Sequence, residues 1–250
     1  MKGGIWEFGP LRLSILNLPD EWRISWHYTG DPVDNSLTQM QIVDETQIPK
    51  YTNLERFGFD GKSDELTISP WLSDRAFVAR PDSPLKVPGR SQVTFYMSTP
   101  IWLSINDSKE EQFLLEIPSY RPSDTWFGAS PVDGELAYVT KTAARLHMEE
   151  LPFRRHRAIT GVTICNLSEE PLAFDKIKIP MPHLSLYRGS NGWFYTDFLS
   201  YEWEGDLESI KMKLDGKPDI KGNHLDLVTG PRQKLERNIV ARTVRSMFGS

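Results

Sequence analysis

Pro88-Gly89-Arg90-Ser91-Gln92-Val93-Thr94-Phe95-Tyr96-Met97-Ser98-Thr99-Pro100-Ile101-Trp102-Leu103-Ser104-Ile105 is the stretch from which the fold class is read. Pro88-Gly89-Arg90 reads as a turn. Val93, Phe95 and Met97 then fall on alternate positions of a strand. Successive side chains of a strand point to opposite faces, so this spacing marks one face in a core. Pro100 cannot donate to a sheet ladder and ends the run. Ile101, Leu103 and Ile105 start the rhythm again, as two neighbouring strands of an antiparallel sheet do.

Outward from this centre the same punctuation recurs. Leu11-Arg12-Leu13-Ser14-Ile15 alternates, and so does Trp22-Arg23-Ile24-Ser25-Trp26-His27-Tyr28 after the turn at Pro19-Asp20, which predicts a hairpin. A polar stretch spans 30–64, and Glu65–Ser69 and Arg75–Ala79 read as further short strands. Two prolines and three small polar residues in 118–124 mark a linker. Beyond it, Trp126–Ala129 and Glu135–Val139 pair through Asp133-Gly134, a strong turn signal. Gly161–Pro180 reads as strand, turn and strand. Leu184–Tyr187 and Trp193–Phe198 form another pair around Gly189-Ser190-Asn191-Gly192.

The expected architecture is therefore all-β and mainly antiparallel. It has two immunoglobulin-like β-sandwich lobes, at 1–120 and 125–229. Residues 231–248 break the rhythm. Pro231 suits a helix start, and Leu235, Ile239, Val240, Val244, Met247 and Phe248 fall on one helical face. Arg232, Lys234, Arg237, Arg242 and Arg245 against the single acid Glu236 make this expected amphipathic helix basic.

Composition narrows the function classes. The chain of 250 residues carries a net charge of −5 with a pI near 5.6, which disfavours whole-molecule attraction to phosphate backbones, so no nucleic-acid partner is expected. A single cysteine, Cys165, excludes an internal disulfide and a multi-cysteine metal site, and it suits a reducing compartment. It reads as a small core residue of a strand. No apolar run approaches the ~18 residues of a membrane span, and the first residues lack the apolar stretch of a signal peptide, so a cytoplasmic location is expected, extending to the membrane periphery.

Chemical motifs fail one by one. Gly61-Lys62-Ser63 imitates the end of a phosphate loop, but Arg56 stands where that loop needs glycine, and Asp60 and Asp64 repel phosphate. Gly128-Ala129-Ser130-Pro131-Val132 lacks the second glycine of a nucleophile elbow. Ser83-Pro84-Leu85-Lys86 has serine-to-lysine spacing, yet its proline opposes the helix that would join the two groups. His27, His147, His156, His183 and His224 lack the close helical spacing of a zinc site. Neither a cofactor nor a metal is implied, and catalytic residues are not assigned.

Two constellations remain. Arg154, Arg155 and Arg157 form a compact basic cluster, and with Arg237, Arg242 and Arg245 of the tail they make a contact set for a protein or membrane surface. A solvated loop is the plainer account of the cluster, and a helix packed on the chain's own sheet accounts for the tail at least as well. Trp193, Asp197, Glu202 and Trp203 mix aromatics with carboxylates, as sugar-binding clefts do, with Asp197 and Glu202 as a possible acid and base. A strand with core aromatics and solvated acids reads the same way.

Ile5-Trp6-Glu7-Phe8-Gly9-Pro10-Leu11-Arg12-Leu13, Val87-Pro88-Gly89 with the strands around Pro100, the Gly128-to-Tyr138 hairpin and the Val162-to-Pro180 unit together resemble an uncharacterised family. It comprises chains of about 250 residues, largely archaeal, catalogued as domain of unknown function number 432. The resemblance covers most of the chain and rests on turn and strand signatures rather than chemical ones. It implies a soluble accessory role beside a membrane protein, since members are associated with small mechanosensitive channels. It brings no catalytic residues. Two readings follow: a non-enzymatic β module for a protein partner, including a membrane-associated one, and a carbohydrate-active or small-ligand protein using 193–206. Oligomeric state is not readable.

Overall fold

A computed structural model of the chain describes residues 2–58, 60–61, 63–81, 84–109, 112–128, 132, 134–141, 145–205 and 210–234. These residues form β-strands joined by turns and three short 3-10 turns, with most strand pairs antiparallel. The chain divides into two compact units that alternate along the sequence. The first comprises residues 1–71, 100–121 and 154–156, and the second takes the rest. The expected linker at 118–124 contains one passage between them. The remaining passages lie at 71/72, 99/100, 153/154 and 156/157.

The first unit holds a five-stranded antiparallel sheet in the order Leu37–Asp44, Lys2–Phe8, Leu11–Asn17, Glu21–Tyr28, Asn53–Gly58. The predicted hairpin is its centre, with Leu13 opposite Trp26 and Ile15 opposite Ile24. A second sheet orders Gln112–Pro118, Trp102–Asp107 and Leu66–Trp71. Leu11, Leu13, Ile15, Trp22 and Ile24 from the first sheet share one core with Leu103, Ile105, Leu114 and Ile117 from the second. Burying each such side chain contributes roughly 1.5–3 kcal/mol. Two strands, Leu37–Asp44 and Asn53–Gly58, arise inside the stretch that reads as polar, because edge strands bury little and need no apolar run. Gly9 turns the chain between the first two strands with φ of 57°, and the buried His156 ring lies where its side chain would be.

The second unit is built on Arg157–Asn166. Ser91–Pro100 pairs with it, as do Phe194–Thr196 and Phe198–Trp203, which run parallel to it. Parallel pairing needs a long crossover and leaves no local signature, so the sequence rhythm did not announce it. A second sheet orders Ser123–Gly128, Gly134–Lys141, Phe77–Arg80 and Ile177–Ile179. Phe77, Val78 and Ala79 are wholly buried, as a continuous apolar run in a central strand requires. The 161–180 segment folds as strand, turn and strand, but the later strands pair elsewhere: Leu172–Phe174 joins Leu85–Val87, and Ile177–Ile179 joins Phe77–Arg80. Asn166 locks that turn, donating to the carbonyls of Val87, Pro88 and Glu170 while accepting from Ser168.

The helix expected over 231–248 is not seen at its start. Residues 231–234 are irregular: the Arg232 guanidinium donates to the Leu72 carbonyl at 2.6 and 2.8 Å, and Gln233 N donates to Pro182 O. Residues 235–248 lie outside those described. Among the described residues no helix is long and apolar enough to cross a membrane.

Candidate functional site

The described members of the basic set stand on different elements. Arg154 and Arg155 belong to the first unit, where Arg155 N donates to Asn35 Oδ1 at 2.7 Å. Arg157 belongs to the second unit, and its guanidinium is held by the Ser98 hydroxyl and carbonyl. The guanidinium of Arg157 thus fastens two paired strands of its own sheet. Arg237, Arg242 and Arg245 lie outside the described residues.

The aromatic and acidic set is dispersed as well. Asp197 is buried, accepting from Ser185 N at 2.6 Å and from the Tyr187 hydroxyl at 2.9 Å. It sits between Phe194–Thr196 and Phe198–Trp203, where the register with Arg157–Asn166 slips by one residue. Asp197 is therefore the extra residue of a bulge, satisfied by its own turn. Trp203 is buried in the strand after it, and Glu202 is half-buried opposite Cys165 and Lys211. Burial, with the nearby carboxylates of Glu202 and Asp215, pushes the Cys165 thiol up, which weakens it as a nucleophile. Of the four, Trp193 lines a cleft.

That cleft has a volume of about 440 Å³, within the range of ~300–1,000 Å³ usual for small ligands. Its walls come from two turns brought together by the antiparallel pairing of Leu186–Gly189 with Leu225–Thr229. Ser190, Asn191 and Trp193 stand on the first turn, and Lys221, Gly222 and Asn223 on the second. Met148, Glu149 and Tyr195 complete the lining together with Ile220. Phe153 lies against the Trp193 indole, with ring centroids 5.1 Å apart.

The amide orientations are set by backbone donors. Trp193 N donates to Asn191 Oδ1, and Asn191 N donates to Asn223 Oδ1, both at 3.1 Å. Each amide therefore turns its NH₂ group toward Tyr195, whose hydroxyl oxygen accepts from Asn191 at 2.8 Å and from Asn223 at 3.5 Å. The Tyr195 proton is left with no acceptor among the described residues, although Tyr195 is only 1% exposed. In the sequence Gly189-Ser190-Asn191-Gly192 carries the signature of a turn alone. Asn223 is over thirty residues away, and no local signal joins it to Asn191.

A second feature lies on the first unit. Across the five-stranded sheet, Ile15 faces Gly4 and Gly4 faces Ile42, while Leu11 faces Phe8 and Phe8 faces Leu37. Partners directly opposite share a face, so Leu37 and Ile42 lie on the core face. Met40 joins them by alternation with Ile42. Trp6 and Phe8 pack partly against the core, but Leu37, Met40 and Ile42 are 52%, 53% and 63% exposed. Their strand is the sheet's edge, and its outer side pairs with no strand among the described residues.

A family model described as a protein of unknown function, DUF432, matches residues 2–248. No curated protein and no solved structure matches the chain.

Proposed function

We propose that this chain, which belongs to the DUF432 family over nearly its whole length, is a non-enzymatic β module that binds a partner protein along the edge strand Leu37–Asp44. The observation behind this reading is the apolar core face running out through exposed Leu37, Met40 and Ile42 onto an edge that pairs with no strand among the described residues. Unpaired strand edges carrying apolar side chains invite another strand, and native proteins blunt or cover them. Pro and Lys, the usual guards, are missing from Leu37–Asp44. The matching occupant is an extended apolar segment whose backbone extends the ladder and whose alternate side chains cover Met40 and Ile42. Exposed Asp44 and Glu45 at the strand's end favour basic residues flanking that segment. Arg154 and Arg155, with Arg237, Arg242 and Arg245 of the tail, remain in the proposed contact set. A membrane protein such as a mechanosensitive channel, the partner that the resemblance implies, is one source of such a segment.

The test compares the full chain with Met40→Lys and Ile42→Lys variants in retention of proteins from native extract and solubilised membranes. A partner held by the wild type and lost from both variants, with thermal melting unchanged, supports the reading. Equal retention by all three removes it. Sedimentation over a concentration range reports the case in which the added strand comes from a second copy.

A further inference from the structure

We propose that the cleft at Trp193 is a binding site for a neutral saccharide, in which the indole carries a C–H face of the sugar and the Tyr195 hydroxyl donates to a sugar oxygen. This site lies on the second unit and shares no residue with the edge strand, so it stands independently of the partner-protein reading.

Three features select the ligand class. The first is the Tyr195 hydroxyl, which accepts two amide N–H groups and has its own proton unspent at a buried position. A buried donor without an acceptor costs free energy, and a ligand oxygen in the cleft removes that cost. Because the backbone fixes both amides, side-chain flips cannot supply the acceptor instead.

Charge is the second. Among the described residues the lining holds one acid, Glu149, and one base, Lys221, both exposed. Together they cancel, which disfavours phosphates and cations, and as acceptor and donor they suit hydroxyl groups. Among the described residues one carboxylate lines the cleft, whereas glycoside cleavage ordinarily needs two, so the site is read as a binding site. The third is the half-buried indole of Trp193, stiffened by Phe153. A rigid aromatic face loses little conformational entropy on meeting a flat apolar surface, and sugars present such a surface on the C–H side of the ring. The amide NH₂ groups of Asn191 and Asn223 retain hydrogens beyond those given to Tyr195, so the cleft offers several donors.

The test titrates the isotopically labelled full chain with glucose, galactose, mannose, N-acetylglucosamine, maltose, lactose and cellobiose at millimolar concentration. The readout is the Trp193 indole N–H resonance, identified by its loss in Trp193→Phe. At least one sugar is expected to shift it together with the amide resonances of Asn191 and Asn223. Tyr195→Phe should weaken binding about tenfold, the worth of one hydrogen bond. Should that variant fail to fold, Glu149→Ala/Lys221→Ala, confined to the exposed rim, should keep the dispersed spectrum and weaken the same titration severalfold. Silence of the Trp193 resonance toward every sugar overturns the proposal. So does undiminished binding by the folded variants, or tighter binding of inorganic phosphate or adenosine at the same resonances.

Discussion

Arg12 shows how one side chain organises a loop. Its guanidinium donates to Gly9 O at 2.6 Å and to Asp34 Oδ2 at 2.7 Å, and it lies 3.2 Å from Glu7. Asp34 in turn accepts from Ser36 N at 2.9 Å. Burial pushes the Asp34 carboxyl up, but Ser36 and then Arg12 outweigh it and hold it down to about 2. An ordinary unfolded Asp titrates near ~3.9, so the folded state binds the proton less readily than the unfolded one. The stability this contributes is complete above about pH 4 and is lost as pH falls through about 2. Urea titrations at neutral pH and near pH 2.5, an intermediate point on that scale, should show a smaller acid loss in Asp34→Asn than in wild type. Parallel losses would place the acid sensitivity elsewhere, with Glu21, lowered chiefly by its Arg56 hydrogen bond, the next group to replace. The Arg12–Asp34 pair was not legible beforehand, because the two residues are joined only when the first hairpin and the following loop fold together.

Among the elements, the run from Phe194 to Trp203 depends most on a single break. Phe194–Thr196 pairs on its outer side with Leu186–Gly189, whereas Phe198–Trp203 pairs there with Lys211–Gly216. Asp197 separates the two halves and lets one extended run serve two partners. Replacing it with Ala leaves the half-buried Ser185 N–H and the buried Tyr187 hydroxyl without their acceptor, at a cost of about 1–3 kcal/mol for the buried donor and less for the other. Asp197→Ala should therefore lower the urea midpoint substantially, while Glu202→Ala, half-buried in the same run, should change it much less. Equal effects would contradict the structural role given to Asp197. The sequence placed this run on a strand correctly and offered its acids for catalysis. Alternation reports which face a residue takes, and it is blind to whether a carboxylate there is spent on neighbouring donors.

For the molecule as a whole, the interleaving of the two units has a direct consequence for fragments. Cutting between Arg121 and Pro122 separates 122–250 from Phe77–Arg80, Leu85–Val87 and Ser91–Pro100, which belong to its sheets. Residues 122–250 alone should lack a dispersed amide spectrum, and adding 1–121 during refolding should restore it. A dispersed spectrum from 122–250 alone would show that those strands are dispensable. Such non-local pairing also marks the limit of what the sequence by itself determined. Alternation, proline breaks and turn residues specified a β-rich chain, the hairpin at Leu11–Tyr28, the strands on either side of Pro100 and the Leu186–Thr196 hairpin. Those signals are local, since each reflects side-chain direction or backbone permissiveness within a few residues. Tertiary structure alone decided that Arg157–Asn166 takes parallel neighbours and that the core face runs bare onto Leu37, Met40 and Ile42. It alone set Asn191 and Asn223 on one tyrosine hydroxyl. Each of these outcomes depends on which strand lies beside which, and strands carrying the same alternating pattern compete for that place through long-range packing that no short segment records.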